Sequence, residues 1–157
     1  EPALRSLYRG FAALQRIGVI HKALQAAPIA GPYDWTAQVE SARLAAAAWL
    51  ELAEGRKEEA LAMAREAARL EDETGKHPVA PGPPLPAREL LGDMLLELEQ
   101  PAEALLAYHA ALVEAPHRFN SLYGAARAAE ADCTHERCIR CSERGRTVQR
   151  PRRRRGP

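Results

Sequence analysis

Valine, isoleucine and threonine together number only 13 in this 157-residue chain. β-branched residues suit the pleated, half-buried surface of a strand, so their shortage argues against a sandwich, a barrel or a parallel sheet. Aromatic residues make up 5%, leaving few large rings to fill a deep core. No window approaches the ~18–20 uncharged apolar residues that a membrane-spanning helix needs, so no transmembrane segment is expected. The chain opens at Glu1 without a charged-then-apolar leader, and both a cytoplasmic and an exported location stay open. The three cysteines all fall between positions 133 and 141. Such a local cluster gives no sign of a disulfide framework through the body.

The abundant residues point to helix. Alanine occurs 32 times and leucine 19 times, and both lose little on entering a helix. The formal net charge of +1 hides two opposed parts. Residues 1–130 carry 13 Lys and Arg against 18 Asp and Glu, a net of −5. Residues 131–157 carry 9 Arg against 3 acids, a net of +6. Like charges so dense repel one another, which predicts a basic, disordered tail over 132–157.

Apolar residues recur at three- and four-residue steps through Leu4, Leu7, Phe11, Leu14, Ile17 and Leu24, predicting a helix over about 3–26. The helix and its linker form an N-terminal segment over 1–30. Asp34 is placed to cap a second helix carrying Val39, Ala42, Ala46 and Trp49, with Gly55 closing it. A third runs from Glu58 and is expected to decay at Glu71-Asp72-Glu73. Residues 76–86 hold five of the twelve prolines, which fix φ and remove donors, so an extended connector is expected there. A fourth helix carries Leu90, Leu91, Met94 and Leu95. Pro101 suits the first position of a fifth, and a sixth begins near Asn120 with Leu122, Ala125, Ala126 and Ala129 on its apolar stripe.

Helix, short turn, helix is thus repeated. Residues 85–118 place Leu91, Gly92, Ala104, Tyr108, Ala111 and Pro116 at the offsets of a tetratricopeptide unit, a repeat of 34 residues. Arg88 stands in the usual Trp slot and Leu95 in a Tyr slot. An upstream copy aligns Glu59-Ala60-Leu61 with Glu103-Ala104-Leu105, 44 residues apart, with the proline-rich insertion at 76–86 accounting for the excess. The chain resembles the tetratricopeptide family over 33–131. It is also similar to the C-terminal part of larger bacterial proteins of that kind, through Lys76-His77-Pro78-Val79, Arg118-Phe119-Asn120 and Tyr123-Gly124-Ala125. The resemblance implies an all-α fold, a short right-handed solenoid of antiparallel helix hairpins. It also implies a non-catalytic scaffold that binds a protein or peptide through a concave groove. The alternatives are a structural segment of a longer solenoid, or polyanion binding by the tail.

In that family the first helix of each hairpin lines the groove, which here selects Trp49, Leu52, Glu89, Asp93, Glu97, Tyr123 and Arg127. Glu89, Asp93 and Glu97 are spaced i, i+4, i+8 and share one helix face. The family's clamp for peptide C-terminal carboxylates has Lys and Asn where Glu89 and Asp93 stand, so a basic or mixed peptide is the better expected partner. For the row itself, a solvated acidic face is the preferred reading over a binding row. No Gly-rich phosphate loop, nucleophile motif or His-x-x-x-His pair occurs, and exposed helix carboxylates lack the burial that tunes general acids and bases. No enzyme activity, small-molecule substrate or cofactor is expected.

Cys133, His135, Cys138 and Cys141 offer zinc-ligand chemistry. Four ligands within nine residues are cramped beside structural sites, whose ligand pairs usually lie about 12–20 residues apart. The preferred reading is no metal. His77 beside Glu71 and Asp72 is read as a solvent-facing or capping residue. Arg150, Arg152, Arg153, Arg154 and Arg155 could contact phosphates, but no aromatic residue follows Tyr123, so sequence-specific nucleic-acid binding is not expected.

Overall fold

A computed structural model describes residues 2–31, 33–75, 77, 83 and 85–134, with side chains described from residue 10 to residue 133 of these. The described residues form six helices and no strand. In chain order they are α1 (Pro2–Ala26), α2 (Trp35–Ala53), α3 (Lys57–Thr74), α4 (Ala87–Glu97), α5 (Pro101–Glu114) and α6 (Phe119–Thr134). Consecutive helices pack on one another from α1 to α6, and the alternate helices α2, α4 and α6 also touch in sequence order.

Local chemistry explains most boundaries. Asp34 accepts the Ala37 N–H at 2.9 Å and so caps α2. The α2–α3 turn is closed by two reversed bonds, Gly55 N–H to Leu52 O and Arg56 N–H to Glu51 O, the Schellman pattern with Gly55 at φ 86°. The same pair of bonds ends α4, from Glu99 N–H to Leu96 O and Gln100 N–H to Leu95 O. There the left-handed position is held by a glutamate, Glu99 at φ 58°. Pro101 opens α5 as expected for a residue without an N–H.

Two boundaries depart from expectation. α3 does not decay at the acidic run but continues through it to Thr74. Glu71 Oε1 accepts the Ala87 N–H at 3.0 Å and Asp72 pairs with Arg88. The run is thus held by the first turn of α4, whose orphan amide needs an acceptor. In α6 the buried stripe is Ser121, Gly124, Ala125 and Ala128, whereas Leu122 and Ala126 are exposed. Of the expected stripe Leu122, Ala125, Ala126 and Ala129, Ala125 is buried, and the helix is rotated from the rest because its neighbours need a glycine and a hydroxyl rather than bulk.

The core is built of small residues. Ala48, Ala60, Ala67 and Ala104 are fully buried, letting helices approach closely. Ser41 Oγ, also fully buried, donates to Ala67 O at 2.9 Å and ties α2 to α3. Among the described residues, Tyr108 of α5 is the largest fully buried side chain. Its ring lies between glycines of α4 and α6: a Cβ on Gly92 would come within 2.8 Å of it, and one on Gly124 within 2.3 Å.

Candidate functional site

α2 and α4 lie side by side, with Pro83 and Leu85 near both. Between them is a cavity of about 350 Å³. Ala42, Ala46 and Trp49 of α2 form one wall, Leu90 of α4 the other, and Pro83 and Leu85 border it from the connector. Trp49 is half-buried and packs against the core, and Leu85 is exposed. Most of the lining is small or aliphatic, with Gln38, Ser41 and Glu71 the polar members, so the cavity suits an apolar group.

A second cavity of about 300 Å³ shares Glu71 and Pro83 with the first. It opens between the C-terminal ends of α3 and α5 and the start of α4, with Asp72, Arg88, Glu114 and Arg118 among its walls. Burial pushes the Glu71 carboxyl above its ordinary range, with Asp72 adding to the rise and the Ala87 N–H opposing it. Arg88 is engaged by Asp72 and Arg118 by Glu89.

The carboxylates expected to line an open row are not equivalent. Glu89 is 2% exposed. It accepts from Arg118 Nε at 2.5 Å and from Ser121 Oγ at 2.7 Å. Burial alone would raise its carboxyl, yet the bonds from Arg118 and Ser121 outweigh that and hold it below the usual range. Asp93 is half-buried and accepts from the Tyr108 hydroxyl at 2.5 Å. That hydroxyl is pushed well above its ordinary value, by burial first and then by the bond to Asp93. Glu97 alone of the three is exposed. Two of the three carboxylates are therefore engaged in tying α4 to α5 and α6.

The other expected groove residues fall in two places. Trp49 lines the apolar cavity, while Leu52 is half-buried against the core nearby. Tyr123 and Arg127 lie together on the exposed face of α6, with Phe119 stacked on Tyr123 at 6.1 Å and the Arg127 guanidinium 5.9 Å from the Tyr123 ring centre. His77 is half-buried, not solvent-facing: its ring packs 4.9 Å from Tyr33 and 5.1 Å from Trp35. Cys133 is exposed near the end of α6, and His135, Cys138 and Cys141 lie outside the described residues. So do Arg150, Arg152, Arg153, Arg154 and Arg155. No group of three or more His, Cys, Asp or Glu among the described residues is placed to hold a metal ion, and none of the described helices is long and apolar enough to cross a membrane.

Sequence reading missed Glu71, Pro83, Leu85 and Arg118 as site residues. The one available signal was the proline-rich stretch at 76–86, since a connector between two packed helices has to lie on some face of them. No protein-family model, curated protein or solved structure matches the chain.

Proposed function

We propose that the chain is a tetratricopeptide-like array of helix hairpins that binds a protein or peptide, without catalysis, along the face formed by α2, α4 and α6. The observation that carries this reading is the apolar cavity between α2 and α4, walled by Trp49, Ala42, Ala46 and Leu90 and bordered by the connector at Leu85. Contact of α2 with α4 and of α4 with α6 supports it, because alternate helices then contribute to one surface. The mechanism is rigid presentation. Helix packing fixes Trp49 before the partner arrives, so little ordering entropy is lost at that residue on binding.

A displayed library of random peptides, selected on the full chain, tests the proposal. Enriched peptides should carry an apolar anchor. Ala46→Trp, which fills the cavity, should weaken them at least ~10-fold, about 1.4 kcal/mol, with the helical signal unchanged. Unaltered affinity in Ala46→Trp would sink the reading.

A second reading, a structural segment of a longer solenoid, is favoured by the exposed Phe119, Leu122 and Tyr123 of α6, at 75%, 48% and 57%. On this reading the chain self-associates through α6, and Tyr123→Lys restores a monomer in analytical ultracentrifugation.

A further inference from the structure

The cavity at the ends of α3 and α5 has a charge pattern that selects its occupant. Two arginines line it, but Asp72 engages Arg88 and Glu89 engages Arg118. Glu71 and Glu114 have no such ion pair among the described residues, and Glu71 spends one carboxylate oxygen on the Ala87 N–H. The C-terminal ends of α3 and α5 also converge here, since Glu71 and Asp72 belong to the last turn of one and Ala111 and Glu114 to that of the other. The last carbonyls of a helix carry partial negative charge and favour cations. The N-terminus of α4, which would favour an anion, is already served by Glu71. The remaining walls, Ala110, Ala115, Pro83 and Pro86, are apolar.

We propose that this cavity receives a lysine side chain of the bound peptide, its ammonium on Glu71 and Glu114 and its aliphatic stem along Ala110, Ala115 and Pro83. The assignment rests on the peptide-binding reading above and specifies the partner. Glu71 and Pro83 border both cavities, so one extended segment can seat an apolar side chain against Trp49 and a lysine beside Glu71. A neutral group would leave Glu114 and two helix ends without a counter-charge, and Glu71 with only Arg88 and Arg118, each already engaged by another carboxylate. A carboxylate or phosphate would meet Glu71 and Glu114 directly. A long stem with a compact charged head suits a space with apolar walls and acidic groups.

The probe is n-butylammonium, titrated into the full chain and followed by amide NMR, with n-butanol as the neutral control. Saturable shifts are expected at the amides of Gly75, Ala110 and Ala115, with none from n-butanol. Glu71→Gln keeps an oxygen to accept the Ala87 N–H, so the fold survives, and it should weaken n-butylammonium binding at least ~5-fold, about 1 kcal/mol. Glu114→Gln, at an exposed position, should weaken it in the same sense. Equal binding by Glu71→Gln, equal binding of n-butanol, or no saturable shift at those amides would each overturn the assignment. A library-selected peptide separates this failure from failure of the groove. If its affinity falls in Ala46→Trp but not in Glu71→Gln, only the lysine site is wrong. If n-butylammonium binds as stated while Ala46→Trp leaves peptide affinity intact, only the groove is wrong.

Discussion

Gly124→Ala and Gly18→Ala make the same chemical change in two helices and should act in opposite directions. Alanine is favoured over glycine inside a helix by ~0.8–1 kcal/mol. At Gly18 of α1 nothing lies within 4 Å of an added Cβ, so that gain should appear nearly whole. At Gly124 the added Cβ would sit 2.3 Å from the Tyr108 Cε1 and Cζ and 2.8 Å from its hydroxyl. The ring cannot give way easily, because Gly92 backs its other side and Asp93 holds its hydroxyl at 2.5 Å. Overpacking a core costs ~1–3 kcal/mol and occasionally more. Expelling the ring would cost up to ~3–5 kcal/mol, on the scale of truncating a buried aromatic. Setting the helix gain against these, Gly124→Ala should lose about 2 kcal/mol. Urea unfolding followed by circular dichroism reads the difference. With a slope near 2 kcal/mol per molar, the midpoint falls by ~1 M for Gly124→Ala and rises by up to ~0.5 M for Gly18→Ala. Adding Tyr108→Leu to Gly124→Ala should recover part of the loss, since the pair is in contact and non-additive. The reasoning fails if the two alanine variants shift the midpoint in the same direction.

Three further substitutions probe α4 and its two ends. Glu99 is exposed with φ 58°, a conformation costing a residue with a side chain ~1–2 kcal/mol; Glu99→Gly should therefore raise stability by ~0.5–1 kcal/mol after the added chain entropy of glycine, measured by the same melts. Glu89→Gln should cost about 2 kcal/mol at neutral pH, below the ~3–5 kcal/mol for breaking a fully buried pair, because the amide still accepts a bond and Arg118 is one quarter exposed. The folded carboxyl of Glu89 is depressed, so its stabilisation is complete above the unfolded value near ~4.3 and is lost as pH falls through the folded value. The gap between parent and variant should hold from pH ~7 to ~5 and close below pH ~4. Glu71 has the opposite sign. Its raised carboxyl favours the protonated form in the fold, so it disfavours folding as pH rises through that raised value, and Glu71→Gln should be at least as stable as the parent at neutral pH.

Local signals were read well in the sequence where one side chain decides a boundary. Asp34 as a cap, Gly55 past a helix end and Pro101 at a helix start each act within four residues. Ala104 was legible as a small-residue position, and it is fully buried; that the Tyr108 ring would pack on Gly92 and Gly124 was not. What escaped involves partners far apart in the chain. Glu89 reads as a surface residue from helical periodicity, since a carboxylate alone predicts exposure. It is buried because Arg118 and Ser121 lie 29 and 32 residues away in sequence and beside it in space. The acidic run at 71–73 reads as a fading helix for the same reason, its contacts with Ala87 and Arg88 being 16 residues on. The rotation of α6 follows from the Tyr108 ring, which makes Gly124 a wall and leaves Leu122 outside. The candidate groove was half legible: Trp49 was expected on it, while Leu85 and Pro83 come from an insertion that no repeat pattern places.

Amide hydrogen exchange on the full chain, with and without a library-selected peptide, tests the central proposal most directly. Binding along α2 and α4 predicts added protection in residues 38–49 and 85–90, with little change in α1. Protection confined to 135–157, or to the Phe119–Tyr123 face of α6, would contradict it.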